Sequence, residues 1–375
     1  MRATRTGLVL FGLALAVLVG FLAGPRSALL VLIGLGFGLV LEGMRVGFAG
    51  PWRVVATERD GRGFVALLLA IGLAALAAIP LLAAAPDELI GAHAPVGLGM
   101  IVGAFVFGAA MQLVFGCGSG TLVNAGSGNA IGAVALLTFI AGSFLGTLHL
   151  GWWTELGSLP VITLQGAFGM TGGLIATLVG LAAAGLVALA FAAPGKRLPA
   201  PRLLVAAALL AGLATLNLLV AGQPWGIVYG LGLWGAKIAQ AGGADLAATA
   251  FWSSPTHAER LRESVLLDIT SLTNIGLLAG AFIAMRWRSA VAPQVAGLRW
   301  SAWGAVVVAG LVLGYSARIA FGCNVGAFFS GIATGSLHGW VWFAAAFAGS
   351  MVGVRLRPIL LKPAALPPLV RADAR

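Results

Sequence analysis

The sequence predicts an all-α polytopic membrane protein. The prediction is a helical bundle of about nine transmembrane helices with short re-entrant half-helices, forming one membrane domain over 1–375. Three observations carry it. Of 375 residues, 60% are apolar and only 9% charged, whereas a soluble domain carries about a quarter charged residues. Apolar runs of roughly 20 residues, the length that crosses the hydrocarbon core, recur along the whole chain. Two stretches rich in Gly, Ser, Thr and Asn, 117–129 and 322–337, interrupt that apolar sequence. Irregular backbone at membrane depth survives only where protein or a wet cavity satisfies its N–H and C=O groups.

The apolar segments run near 7–24, 28–50, 64–85, 97–116, 130–149, 170–193, 202–222, 225–241, 265–285, 302–321 and 338–354. Residues 7–24 follow Arg2 and Arg5; they are too long for a signal-peptide core and are followed by further spans, so they read as a first transmembrane helix. The 56 glycines suit close helix packing in lipid and broken helices. The stretches 117–129 and 322–337 read as loops with half-helices starting near Ser119 and Val325. Residues 253–263 (SSPTHAERLRE) read as an exposed loop with a short helix, because Ser-Pro is a helix-start signal. The Pro-rich end, 356–375, reads as a disordered tail.

An internal repeat runs through the chain. GAAMQLVFGCGSGTLVNAG at 108–126 aligns with GYSARIAFGCNVGAFFSGI at 314–332, GSFLG at 142–146 with GSMVG at 349–353, and GFGL at 36–39 with GLGL at 230–233. The repeats are 7–165 and 202–355, with 170–193 as a linking span. Four crossings, one linking crossing and four more make nine, and the odd linker inverts the second repeat. Such folds place a substrate site near the midplane between discontinuous helices.

The net charge of +11 does not signal nucleic acid, because the basic residues lie at segment ends as topology signals and headgroup contacts. Under this span count the clusters Arg53/Arg59/Arg62, Lys196/Arg197/Arg202 and Arg286/Arg288/Arg299 cannot all share one face. The basic C-terminus favours the cytoplasm.

Cys117 and Cys323 are the two cysteines of the chain, without metal-ligand spacing. Each follows Phe-Gly and precedes a run that can start a helix. Gly116, Gly118, Gly120, Gly322 and Gly326 let backbone N–H groups approach a ligand. A half-helix N-terminus there, at Ser119 or Val325, favours an anion without a buried lysine. Burial in apolar surroundings keeps a thiol protonated, and a neutral S–H, a weak donor, suits a large, soft anion. Two other readings stay open: cysteines as small buried hydrophobes, and a disulfide, which needs the two Cα atoms within about 7 Å.

At these residues the chain resembles the YeeE/YedE family of sulfur-transport membrane proteins. The motifs are FGCGSGT at 115–121, FGCN-VG at 321–326 and the upstream block GFGLVLEGMRVGFAGPWRVVATERD at 36–60. The resemblance implies transport of thiosulfate or a related sulfur anion, with selenium metabolism associated with some members. It implies an inverted-repeat bundle in a bacterial inner membrane, with Cys117 and Cys323 lining a narrow path and passing the anion by S–H hydrogen bonds. A cytoplasmic sulfur-carrier protein is a candidate partner; no cofactor and no metal are expected. The family's third cysteine belongs in an Arg-x-Cys-Phe setting that here reads Arg45-Val46-Gly47-Phe48, so Gly47 stands where that thiol would be.

Around the cysteines, Gln112 and Arg318 occupy matching repeat positions. Arg318 lies in an apolar span and must face protein or water; it can attract the anion or pair with a carboxylate such as Glu42. Ser119, Thr121 and Asn324 can donate hydrogen bonds to a substrate or cap helices. Asn124 and Asn129 read as loop or cap residues, and Asp268 and Asn274 are candidates for the second repeat's site. His149 and His338 read as interfacial polar residues.

Two further function classes compete: a membrane-embedded dithiol redox protein and a docking subunit for a sulfur-handling partner. Neither loop has Cys-x-x-Cys or an adjacent base, and no Walker A motif occurs, so neither enzyme chemistry nor ATP hydrolysis has a signature.

Overall fold

The computed structural model describes residues 2–288 and 299–361, and side chains from Thr4's successor onward. Among the described residues ten helices are long and apolar enough to span a membrane. They are α1 (Arg2–Ala23), α2 (Pro25–Gly43), α4 (Arg62–Ala84), α5 (Leu98–Leu113), α7 (Ala130–Glu155), α8 (Leu164–Phe191), α9 (Pro201–Ala221), α12 (Ile269–Trp287), α13 (Trp300–Ile319) and α14 (Leu337–Leu360). Shorter elements lie between them: α3 (Ala49–Glu58), α6 (Gly118–Gly126), α10 (Val228–Ala241), α11 (Pro255–Arg262) and a π-helix, Asn324–Gly331. The chain is an all-α, multi-pass membrane protein.

Ten spans replace the predicted nine. The 225–241 segment is not a span, because α10 begins only at Val228 and its 14 residues reach about 21 Å. The tenth span lies in 7–165, which holds five crossings (α1, α2, α4, α5 and α7) instead of four; α1 flanks α2 and α12. The linking segment is α8, longer than predicted and broken at Gly169, whose φ of 73° is left-handed and suits glycine. The short helix within 253–263 is α11. Of the predicted tail, 356–360 belongs to α14; the remainder, 362–375, lies outside the described residues.

Three side-by-side helix pairs form the centre, each joining one helix of 7–165 to one of 202–355. In the pair α2–α12, Gly34 and Gly38 face backbone atoms of Thr273 and Leu277, while Gly276 and Gly280 face Val31 and Leu35. A Cβ at any of the four would fall inside those backbone atoms, so these glycines set the spacing. In α5–α14, Gly349 and Gly353 lie on Phe105 and Ala109; in α7–α13, Gly142 and Gly314 lie on Leu311 and Phe139. The register rises along both members, so each pair is parallel.

These contacts fix the two faces. One face gathers the start of α1, where Arg5 sits 5.2 Å from the Trp287 ring, with the ends of α2, α12 and α14. The α3–α4 turn and the α8–α9 connection meet there, where the Gly61 N–H donates to Lys196 O at 3.0 Å and the Ala193 N–H to Arg59 O at 2.9 Å. The other face joins the start of α2 to the end of α9, where Arg26 Nε donates to Val220 O at 2.8 Å. It also holds the α4–α5 and α7–α8 connections, the segment 242–268 and the start of α14, whose Leu337 N–H donates to Ile162 O at 3.0 Å.

All three basic clusters therefore share the first face, together with Arg45, Arg355 and Arg357, against Glu42, Glu58 and Asp60. The second face carries Asp87, Glu88, Glu155, Asp245, Glu259, Glu263 and Asp268 against Arg26, Lys237, Arg260 and Arg262. The expectation that the clusters must split between faces is overturned. It gave 7–165 four crossings where the structure has five, so an even number of crossings separates each basic cluster from the next.

Candidate functional site

Four short helices start from the middle of the bundle: α3, α6, α10 and the π-helix at 324–331. The chain reaches each by a tight turn. Arg45, Phe115 and Phe321 have φ of 50°, 61° and 57°, a left-handed region that costs non-glycine residues about 1 kcal/mol or more. Phe115 and Phe321 stand at the same place in the two Phe-Gly-Cys motifs, so both cysteines are delivered by the same strained turn. Each cysteine has extended backbone and forms the N-cap of the helix that follows. Those helices begin at Gly118 and Asn324, one residue earlier than predicted.

The two cysteines are buried and free, and Cys323 lies against the residue next to Cys117. A Cβ built on Gly118, next to Cys117, would lie 3.0 Å from Cys323 Sγ and 3.3 Å from Ile227 Cγ2. Gly118 is thus the gap through which the N-termini of α6, α10 and the π-helix approach each other. Phe48, at the start of α3, completes the convergence, with its ring 6.3 Å from Phe329 and 6.4 Å from Trp225.

A cavity opens toward this junction from each face. The first, about 560 Å³, is lined by Arg45, Gly47, Phe115, Gly116, Cys117, Ser119, Gly120 and Asn124, with Glu42 and Arg288 near its mouth. The second, about 380 Å³, is lined by Gly226, Ile227, Val228, Tyr229, Phe251, His257, Arg318, Phe321, Gly322 and Gly326. Cys323 and Asn324 are fully buried behind the second wall. A Cβ at Gly47 would meet open space, so the position that the resemblance assigns to a third thiol has room for one.

The predicted site residues divide by what they touch. Ser119 Oγ lies 3.3 Å from Cys117 Sγ and faces the first cavity. Thr121 Oγ1 donates to Gly118 O at 2.8 Å, which braces α6 from within rather than lining the cavity. Val325 is an apolar, fully buried first-turn residue. Asn324 is the outlier: neither its amide nitrogen nor its oxygen has a partner. Asn129 caps α7, accepting from the Ile131 N–H at 2.9 Å. Asp268 caps α12, accepting from the Ser271 N–H at 2.7 Å. Asn274 is buried in the second half's wall and donates to Ile227 O at 3.0 Å. His338, expected at an interface, is buried with its Nδ1 2.7 Å from Ser336 Oγ.

Gln112 and Arg318 make matching contacts. Gln112 Nε2 donates to Ala49 O at 3.1 Å and to Ser350 Oγ at 2.8 Å. Arg318 Nη2 donates to Val228 O at 3.1 Å, which also accepts from Ser143 Oγ at 3.2 Å. Ala49 and Val228 are the first residues of α3 and α10. Each polar side chain thus holds the start of a half-helix, assisted by a serine from the opposite half. Glu42 does not pair with Arg318; its partner is Arg288. Arg318 instead lies against two rings, 5.7 Å from Tyr229 and 5.5 Å from Phe251.

Sequence reasoning missed that ring box and the two serines. Ser143 and Ser350 sit in the matched GSFLG and GSMVG strings, so their signal was present as spacing without a role. Phe251 and His257 come from 242–268, a segment with no counterpart between α3 and α4, where three residues suffice. His257 stacks on Phe251 at 4.1 Å and lies 3.1 Å from the Tyr229 hydroxyl. Burial, and then the Arg318 charge, push its pKa below the ordinary histidine value.

The profile of the Sulphur transport family matches residues 44–352, from the α2–α3 turn to the last turns of α14, so every element of the junction lies inside it. The chain belongs to this family. Two curated relatives match shorter stretches. The probable transporter YedE of Escherichia coli (strain K12) is 30% identical over 146 residues, 38% of this chain and 35% of that protein. The probable transporter YedE of Salmonella typhimurium (strain LT2) is 30% identical over 167 residues, 44% of this chain and 39% of that protein. The matched stretches thus span well under half of those relatives. Family membership and the ten apolar helices make this a multi-pass membrane protein of the Sulphur transport family.

Proposed function

We propose that this chain is a permease for a small sulfur-containing anion, thiosulfate first among the candidates, which passes between the two cavities along Cys117 and Cys323. The observation that carries the reading is the close approach of Cys323 Sγ to Gly118, the neighbour of Cys117, between cavities that open to opposite faces. Four half-helix N-termini converge there, each offering unpaired N–H groups and roughly half a positive charge. Neutral thiols add weak donors suited to a polarisable anion. Such a site binds without a permanent strong ion pair, which favours release.

Two further readings accompany it. The halves 7–165 and 202–355 are related by inversion: α2, α4, α5 and α7 correspond to α9, α12, α13 and α14, and the matched Gln112–Ser350 and Arg318–Ser143 bracing supports that pairing, which sets GLGL (230–233) of α10 against α3 and not against GFGL (36–39) of α2. The basic face is cytoplasmic by the positive-inside rule, which places Cys117's cavity inward, Arg318's cavity outward and the protein in a bacterial inner membrane. The inward cavity, with Arg45 at its mouth, is where an acidic sulfur-carrier protein would collect the anion.

Uptake of labelled thiosulfate into proteoliposomes tests the function, with sulfate, sulfite and selenite as competitors. Cys117→Ala and Cys323→Ala should each reduce uptake strongly while leaving the fold intact. Full uptake by both variants would remove the thiols from the mechanism.

A further inference from the structure

The two cavities match in architecture and differ in charge. At the braced position, the first half has neutral Gln112, whose amide nitrogen is satisfied twice. The second half has Arg318, a full cation inside an apolar span. Arg318 is half-buried and lines the second cavity; a guanidinium at membrane depth ordinarily finds a carboxylate, because an unpaired charge there is strongly unfavourable. Among the described residues Arg318 makes no ion pair. Asp268 is committed to capping α12, and Glu42 belongs to Arg288. One carbonyl and two aromatic faces are all that Arg318 has, and its Nε has no partner.

A second orphan lies beside the same wall. Asn324, between Gly322 and Gly326 of the cavity lining, is fully buried with both polar atoms unpartnered. Buried amides without partners are rare and call for a ligand. Two half-helices, α10 and the π-helix at 324–331, also start here, each worth roughly half a positive charge. At the braced positions themselves, α10 and the π-helix with Arg318 supply about two positive charges, and α3 and α6 with Gln112 about one; among the described residues the first cavity's free cation, Arg45, is exposed at its mouth beside the Glu42–Arg288 pair.

We infer that Arg318 is the selectivity residue of this permease, and that it holds a doubly charged oxyanion in the second cavity against the N-termini of α10 and the π-helix. The inference rests on the permease reading and makes it asymmetric. The anion is captured at the Arg318 side and leaves through the weaker, Gln112 side, so the charge difference orders the two stations. A singly charged anion leaves one of the two positive charges uncompensated and is discriminated against.

The test compares Arg318→Gln, which gives the second half the first half's residue, with Arg318→Lys, which keeps the charge. Two readouts are needed: KM for thiosulfate uptake, and the rise in melting temperature of the detergent-solubilised protein with thiosulfate (two charges) against thiocyanate (one charge). Wild type should be stabilised more by thiosulfate. Arg318→Gln should raise KM by roughly tenfold or more and erase the preference between the two anions; Arg318→Lys should keep the preference. Unchanged KM and preference in Arg318→Gln would overturn the inference while leaving the permease standing. Conversely, if wild type transports no sulfur anion but its thiosulfate shift still depends on the residue-318 charge, the permease reading fails and the anion site stands. Should Arg318→Gln not fold, Arg318→Lys decides alone: loss of the preference with the charge retained and melting intact refutes the charge argument.

Discussion

Gly118→Ala inserts one methyl group into the narrowest point of the junction. Its Cβ would lie 3.0 Å from Cys323 Sγ, 3.3 Å from Ile227 Cγ2 and 3.4 Å from Cys323 Cβ. Comfortable contacts between such atoms are about 3.5–4.0 Å, so the sulfur and the start of α10 must each retreat by roughly half an ångström or more. Overpacking of this kind costs about 1–3 kcal/mol. Carried into the barrier for passage, that is about a five- to 150-fold loss of rate. Gly120→Ala is the control: its Cβ would meet only Cys117 Sγ, at 3.9 Å, an ordinary contact. Initial rates of labelled thiosulfate uptake, normalised to folded protein, should fall in the first variant and stay within about twofold in the second. Equal rates in wild type and Gly118→Ala, or equal damage by both substitutions, would refute the assignment of Gly118 as the gap between the thiols.

Three further outcomes are expected. Gln112→Ala removes the donor to Ala49 O and Ser350 Oγ and should lower stability by about 1–3 kcal/mol, read as a drop in detergent melting temperature; an unchanged midpoint would mean the start of α3 needs no brace. The depressed pKa of His257 means its neutral form is favoured by folding, so the segment around α11 is most stable above the ordinary histidine value of about 6.5. Its amide protection factors should fall as pH drops below that value, and His257→Phe should flatten the dependence; the same slope in the variant would assign it elsewhere. A phosphatase reporter inserted in 242–254 should be active outside the cytoplasm and a fluorescent fusion at the C-terminus should glow inside; the reverse pattern would invert the orientation.

Much of this architecture was legible in residue order. Apolar run lengths located the spans because lipid imposes one length on all of them. The Gly-rich interruptions located α6 and the π-helix because only protein can satisfy such backbone in a membrane. The cysteine junction was legible because two copies of Phe-Gly-Cys occur once per half. What failed was depth. Residues 225–241 are as apolar as a span, yet Gly226 and the turn before Val228 stop the helix halfway, and composition alone does not record where a helix starts. Counting four crossings in 7–165 instead of five is what misplaced the basic clusters. The partners of Arg318 were illegible for another reason: Tyr229, Phe251 and His257 come from segments whose folding onto the cavity depends on tertiary packing, such as the 2.8 Å bond from Trp252 Nε1 to Thr147 Oγ1.

The three parallel glycine-spaced pairs interleave the halves instead of setting them side by side. Each Ser–half-helix brace also crosses from one half to the other. A rocking motion of one half against the other would have to pull backbone out of backbone at all three seams at once. On the permease reading, turnover belongs to a stationary framework in which only the turns around the thiols yield, and its rate should vary gently with temperature, as flow through a fixed constriction does.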